Sequence, residues 1–364
     1  MVDRVAIVGT GLIGASVGLA AKHAGARVTG WDPDGDALAV ATERGAVDEP
    51  AASVEDALRG ADLAVVAAPI AALPGEVAAV LAGSAETTTV TDVGSTKLSV
   101  VSAAHSPRFV GGHPICGLEA HGPEHAAAAL FDGATWFLTP TAETDPARYR
   151  LVHGFVAELG AVPAAIDAAA HDRLVALTSH LPHVLANVVV NQAGAARVEG
   201  HEPLASAGGS LRDMTRIAGA NPRIWVDIFR DNAGAVQEAL AEHRRRIEEV
   251  EAALARDDAD YIARWVGEAA DNRRRMLARA YPDASDLHQL HVHIPDRPGA
   301  FAEVTQTLGA ERINIEDFEM QHVSPELGGT LTLLVAGAAS AQRGAELLEE
   351  RGYGVLVSAV LDES

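Results

Sequence analysis

Val5 to Gly14 reads VAIVGTGLIG, and its interpretation decides the fold. Val5–Val8 is a short β-branched run, Gly9–Gly14 carries G-x-G-x-x-G, and ASVGLAAKHAG continues in a helical pattern. Strand, glycine turn and helix in that order open a dinucleotide-binding unit. Gly9 permits the turn, Gly11 lets the backbone approach a pyrophosphate, and Gly14 lets the helix pack against the sheet. The first helical residues, Leu12 and Ile13, add free N–H groups backed by the helix's partial positive charge. The next strand, Arg27–Trp31, ends at Asp32, an acid that suits the adenosine ribose hydroxyls and repels a 2′-phosphate. Pro33, Asp34, Gly35 and Asp36 follow without an arginine. The cofactor expected is therefore NAD in preference to NADP.

The alternation continues outward from this unit. Ala61–Ala68 is a buried strand closed by Pro69, and Thr88–Val93 leads into Gly94, Ser95, Thr96 and Lys97. Arg108–Val110 runs into Gly111-Gly112-His113-Pro114, and Thr135–Leu138 is a further strand. Residues 1–164 therefore predict an α/β Rossmann-type domain, a parallel sheet with helices on both faces. Ligands in such sheets sit beyond the carboxyl ends of the strands, which lines Gly9–Gly14, Asp32, Pro69, Ser95 and His113 along one rim. From 165 to 282 helical signals replace strand signals and predict an all-α domain. His171–Ala195 is apolar-periodic with Pro182 inside it, which predicts a kink or break. Val236, Leu240, Ile247, Val250 and Leu254 place one apolar stripe along a long helix, suited to a dimer contact or to its own bundle. Asp283–Asp286 is a linker, and 287–364 follow βαββαβ, a ferredoxin-like unit.

A chain of 364 residues with formal net charge −22 offers no surface for nucleic acid or an anionic membrane. An anionic substrate then needs a local basic pocket. No run of about 18 apolar residues is evident, so no membrane span is expected. The N-terminus enters a strand without a signal-peptide pattern, and Cys116 is the single cysteine, which together suggest a reducing cytoplasm.

The candidate chemistry centres on GGHPICG, Gly111–Gly117. Two glycines before His113 and a proline after it predict a tight bend that holds the ring rigidly. Histidine accepts a proton near neutral pH without prior tuning, so His113 is the expected base. Cys116 is read as a packing residue, not a nucleophile. His180 and His183 could pair on a metal, but no neighbouring acid or cysteine completes a site, and no metal is expected.

Six ordered blocks carry a more specific resemblance. They are GTGLIG; DVGSTK (Asp92–Lys97); GGHPICGLEAHGP (Gly111–Pro123) with LFDGATWFLTP after it; HDRLVALTSHLPH (His171–His183); GGSLRDMTRIAGANPRIW (Gly208–Trp225); and DRPGAF (Asp296–Phe301). Over nearly all its length the chain resembles the prephenate/arogenate dehydrogenase family with a C-terminal ACT-type regulatory domain. The resemblance implies NAD-dependent oxidative decarboxylation of prephenate to 4-hydroxyphenylpyruvate in tyrosine biosynthesis, with arogenate as the alternative substrate. It makes His113 the base, with Ser95 orienting its imidazole and touching the nicotinamide end; a helix N-cap is the plainer role for Ser95. Pro69 joins the cofactor residues. Arg216, held by Asp213, would bind a substrate carboxylate. Ser179, His183 and Gly209 would line the pocket, Trp225 would wall it and Glu119 would gate it. Asp92 and Lys97 are assigned to local structure. Asp296, Pro298, Gly299 and Asn314 would offer donors to an amino-acid effector, with tyrosine the natural candidate, and a homodimer is implied. A β-hydroxyacid dehydrogenase would use a lysine in the helical domain, and 165–280 has none. An NAD- or amino-acid-sensing regulator would have no need of Ser95, His113 and Arg216 together.

Overall fold

The computed structural model describes residues 2–116, 120–280, 286–324 and 328–360. They fall into two compact units, Met1–Arg245 and Arg246–Ser364. The first begins with β1 (Arg4–Val8), α1 (Leu12–His23), β2 (Arg27–Trp31), α2 (Gly35–Glu43), β3 (Glu49–Pro50), α3 (Val54–Leu58) and β4 (Leu63–Val66). It continues with α4 (Leu73–Gly83), β5 (Thr89–Asp92), α5 (Leu98–Ala103), β6 (Phe109–Pro114), β7 (Thr135–Thr139), α6 (Pro146–Glu158) and β8 (Val162–Ala165). The eight strands form one sheet in the order β3-β2-β1-β4-β5-β6-β7-β8.

From β3 to β6 all neighbours are parallel. Val5 and Ile7 of β1 pack with α1 on one face, while Ala6 and Val8 pack with Leu73, Val77 and Val80 of α4 on the other. A parallel strand covered on both faces is apolar throughout, as in LAVV of β4, where all four residues are buried.

Three features depart from the sequence reading. First, β7 runs antiparallel to β6, pairing His113 with Phe137 and Pro114 with Trp136. The described part of their connection holds only 3-10 turns, Pro123–His125 and Ala128–Phe131, and without a crossover helix the chain returns beside the strand it left. Second, β3 and β8 are edge strands of two and four residues, each containing proline, and the pattern in EP and VPAA is too short to announce them. Third, Gly111 and Gly112 make no bend, because both lie within β6.

The two glycines instead make room for close packing. A Cβ on Gly112 would stand 2.5 Å from the Asp92 carbonyl oxygen and 2.9 Å from Trp136 Nε1, and one on Gly111 would run into Thr139 Oγ1. A buried clamp holds this strand to β5. Lys97 Nζ bonds to the Asp92 carboxylate and donates to Gly112 O at 2.8 Å. Asp92 in turn accepts from Gly112 N at 3.0 Å and from Gly94 N at 2.9 Å. Asp92 and Lys97 thus have the structural role assigned to them from sequence.

The helical part of the first unit contains α7 (Ala168–Val175), a π-helical turn (Ala176–His180), α8 (Leu181–Ala195), α9 (Gly209–Thr215), a 3-10 turn (Arg216–Gly219), α10 (Pro222–Asp231) and the start of α11 (Ala233–Ala255). Pro182 sits in the first turn of α8, and the break predicted at it falls just ahead, in Ala176–His180. Proline donates no N–H to the preceding turn and its ring crowds the carbonyl there, so the helix widens locally. Ala168–Ala195 as one run is long and apolar enough to cross a membrane, with mean hydropathy 1.3, contrary to the expectation that no such run exists. In this structure 22% of its apolar span is buried, and His171, Asp172 and His180 within the run are buried and hydrogen-bonded.

The second unit contains α12 (Ala259–Ala280), β9 (Leu287–Ile294), α13 (Ala300–Ala310), β10 (Asp317–Ser324), β11 (Gly328–Ala336), α14 (Ala338–Glu349) and β12 (Gly354–Ala359). Its antiparallel sheet has the order β10-β11-β9-β12. Leu290, Val292 and Ile294 of β9 alternate inward against Val304 and Leu308 of α13 and Ala341, Ala345 and Leu348 of α14. The βαββαβ order follows the sequence pattern. Strand β10 begins four residues later than the apolar run suggests, because Ile313 N closes α13 onto Leu308 O at 3.0 Å.

The packing around Gly112 gives a direct test. Gly112→Ala should lower stability by about 1–3 kcal/mol in urea unfolding. Gly75→Ala, on the exposed side of α4 where a Cβ meets nothing, should keep or raise it by up to about 1 kcal/mol.

Candidate active site

The parallel registers bring the carboxyl ends of β1, β2, β4, β5 and β6 to one side of the sheet. Gly9 (φ +97°) turns the chain there, and its N–H donates to Trp31 O at 2.8 Å. Gly14 packs so closely that a Cβ would run into Gly9 O. Gly11 is different: no atom lies within 4 Å of where its Cβ would stand. Leu12 and Ile13 follow as the first residues of α1, so the helix N-terminus opens onto free space that a side chain at Gly11 would fill. These residues fit a dinucleotide pyrophosphate.

Asp32 directly follows β2. Its Oδ2 accepts from Thr10 N at 2.5 Å and Thr10 Oγ1 at 3.2 Å, and Oδ1 accepts from Asp34 N at 2.9 Å. The carboxylate is thereby fixed across the glycine turn. Pro69 is exposed just past β4, where its carbonyl starts α4 by accepting from Ala72 N and Leu73 N. Ser95 is half-buried past the end of β5.

His113 lies in the part of β6 that extends beyond its pairing with β5. Its Nδ1 is 2.9 Å from His171 Nε2, and His171 Nδ1 is 2.8 Å from Asp172 Oδ1. The imidazole thus pairs through Nδ1 with His171, and not with Ser95 as expected from the resemblance. Nor does Ser95 cap a helix. The cap residue of α5 is Lys97, and the carboxylate of Asp172 accepts from Lys97 N at 2.8 Å and Leu98 N at 2.9 Å. Desolvation holds His113 well below the ordinary histidine range, reinforced by His171, Lys97 and His180. Burial pushes the Cys116 thiol up to about 11, which suits a packing residue and not a nucleophile.

Ser179 is half-buried in the π-helical turn, beside His180. Asn232 Nδ2 donates to His180 Nδ1 at 3.1 Å and lies 2.8 Å from Asp172 O. His183 stacks on Trp225 with ring centroids 3.6 Å apart, and Phe229 packs against the same indole at 5.2 Å. Gly209 opens α9, and Arg216 opens the 3-10 turn that packs against α8; its side chain is exposed. Asn221 Nδ2 is 3.1 Å from His121 Nε2, tying the stretch after His113 to the start of α10. Glu119 lies outside the described residues.

In the second unit, Gly299 (φ +86°) precedes α13, and Asp296 and Pro298 are exposed beside it. Asn314 lies three residues before β10, not at its start, and its amide donates to Glu316 at 2.8 Å. His171, Asp172 and Asn232 are the site residues that sequence reasoning left without a role. The first two stand inside the block His171–His183, and their buried hydrogen bonds become visible only in three dimensions.

A glycine-turn dinucleotide fold with a histidine on its ligand rim and a helical partner region defines a two-part, dinucleotide-dependent dehydrogenase. The comparisons narrow the class. The family description "Prephenate dehydrogenase, nucleotide-binding domain" matches residues 17–164, and "Prephenate dehydrogenase, dimerization domain" matches 167–268. The chain belongs to the prephenate dehydrogenase family. It is 30% identical over 363 residues to prephenate dehydrogenase of Bacillus subtilis (strain 168), covering 96% of this chain and 97% of the relative. Prephenate dehydrogenase of A. aeolicus in complex with hydroxyphenyl propionate and NAD+ is similar with TM-score 0.70 and 28% identity, over 75% of this chain and 98% of that one. Synechocystis arogenate dehydrogenase is similar with TM-score 0.69 and 27% identity, over 75% and 99%.

Burial lowers His180 from the ordinary 6.5 to about 4. A group depressed in the folded state binds its proton more readily when unfolded, so its contribution is complete above about pH 6.5 and is lost as pH falls towards 4. Urea unfolding at pH 7 and pH 5 should show lower stability at pH 5, with one such group accounting for a loss of up to about 2 kcal/mol over that interval. His180→Leu should flatten this slope; an unchanged slope would mean His180 is not the titrating group.

Proposed function

We propose that the protein is an NAD-dependent prephenate dehydrogenase of tyrosine biosynthesis, cytoplasmic and homodimeric. Its domains are 1–164 for NAD, 165–282 for substrate and dimerisation, and 287–364 as an ACT-type domain with tyrosine as effector. The observation that carries the reading is the neutral, half-buried imidazole of His113 on the same rim as the open helix N-terminus at Gly11. The βαββαβ topology supports the regulatory assignment. The dimer assignment draws on the family description and on exposed Leu174, Leu177 and Val188 in and beside the α7–α8 run.

Gly9, Gly11, Leu12, Ile13, Gly14, Asp32, Pro69 and Ser95 would hold NAD, which when bound accepts a hydride from C4 of the substrate. His113 takes the proton of the C4 hydroxyl as that hydride leaves, and a base that is neutral at working pH is ready to do so. As CO2 departs from C1, the electron pair of that bond passes through the ring to the C4 oxygen, which recovers the proton from His113. The ring becomes aromatic, and this drives the sequence. Arg216 fixes a carboxylate, and Ser179, His183, Gly209 and Trp225 form the wall around the ring. Glu119 is assigned the gate.

The name of the Synechocystis relative motivates a second reading, arogenate, in which an amino group replaces the side-chain keto group. NADH formation should be faster with prephenate than with arogenate, and with NAD than with NADP. His113→Asn should cut turnover by about 10²–10⁴-fold with NAD affinity kept. Preference for arogenate would support the second reading, and near-normal turnover in the variant would move the base elsewhere.

A further inference from the structure

Behind His113 lies a chain of buried groups that the proposed reaction does not itself require. Asp172 Oδ1 accepts from Lys97 N at 2.8 Å and lies 2.8 Å from His171 Nδ1, while Oδ2 accepts from Leu98 N at 2.9 Å. Asp172 is 4% exposed and His171 is fully buried, packed edge-on against Phe137 at 5.5 Å. A carboxylate only accepts, so a His171 imidazole with one ring proton carries it on Nδ1. His171 Nε2 is then a bare lone pair, 2.9 Å from His113 Nδ1. Two bare nitrogens would repel at that distance, so His113 carries its own proton on Nδ1, leaving Nε2 as its basic nitrogen.

We infer that His171, oriented by Asp172, is the positioning residue that fixes the tautomer of His113 and so directs the basic Nε2 towards the substrate hydroxyl. Two backbone amides of the α5 N-terminus anchor the series, and it ends at the reacting proton. When Nε2 gains that proton, the Nδ1–H of His113 leans on His171 Nε2. The rising positive charge is thus shared towards the Asp172 carboxylate, with no net transfer needed. The inference rests on His113 being the base.

The test combines spectroscopy of the free enzyme with kinetics of the full chain. Nitrogen-15 NMR of histidine-labelled protein, assigned with His113→Asn, should show the neutral His113 ring protonated at Nδ1. In water the opposite tautomer prevails, so His171→Leu should move that proton to Nε2. The same variant should lower kcat by about 10²-fold while KM for substrate and Kd for NAD stay within about twofold. His171→Gln, whose amide oxygen can accept from Nδ1–H, should recover at least about tenfold of the loss. A wild-type His113 protonated at Nε2, or His171→Leu with kcat within about threefold of wild type, would overturn the inference. Should His171→Leu fail to fold, the wild-type tautomer decides alone. His113→Asn separates the two ideas: if it is inactive while His171→Leu is not, only the positioning role falls. If His113→Asn itself turns over normally, the base assignment fails first.

Discussion

The carboxylate of Asp172 is the point on which the candidate site depends. It belongs to α7, yet it receives two backbone N–H groups from the start of α5 and faces the ring of His171. Helix α5 has six residues and no side-chain cap of its own, too short to persist without tertiary support. Hydrogen bonds to a charged acceptor contribute about 1.5–3 kcal/mol each, so this one side chain does much to hold α5 in place. The segment Gly94–Lys97 between β5 and α5 contains the rim residue Ser95. One carboxylate from the helical part therefore steadies both the segment that carries Ser95 and, through His171, the imidazole of His113.

Charge economy shapes the rest. The chain carries formal charge −22, while a substrate with two carboxylates must approach it. The centre offsets this locally. Lys97 is fully buried with Asp92, so that lysine serves the sheet and is not available to a ligand. His113 and His180 stay neutral through burial and through the positively charged or protonatable groups near them. As the proposed base, a neutral His113 would avoid a buried cation before the reaction and would become charged only on taking the substrate proton. The exposed Arg216 is the group proposed to orient a carboxylate, where a planar fork gives direction as well as charge.

Much of this was legible in one dimension because it rests on local rules. VAIVGTGLIG predicts strand, turn and helix, and each glycine has the steric reason its place suggests: a positive φ at Gly9, open space at Gly11 and contact at Gly14. Alternation in HQLHVHI marks β9 for the same reason, with every second residue from Leu290 facing the core. What sequence missed depends on contacts between distant residues. Gly111 and Gly112 look like a bend until Thr139, Asp92 and Trp136 are seen crowding the strand. The antiparallel course of β7 goes with a connection whose described residues hold no crossover helix, and the pairing of His113 with His171 spans 58 positions. Ser95, much nearer to His113 in sequence, looks better suited to the imidazole than a histidine so far along the chain.

The central claim concerns where one nitrogen points, and a crystal structure of the enzyme with NAD and a para-hydroxyphenyl product analogue tests it most directly. His113 Nε2 should lie within about 3 Å of the ring hydroxyl oxygen, with its Nδ1 still on His171 and the Arg216 guanidinium on the analogue's carboxylate. A ring oxygen held by another side chain, with the His113 imidazole turned from the ligand, would contradict it.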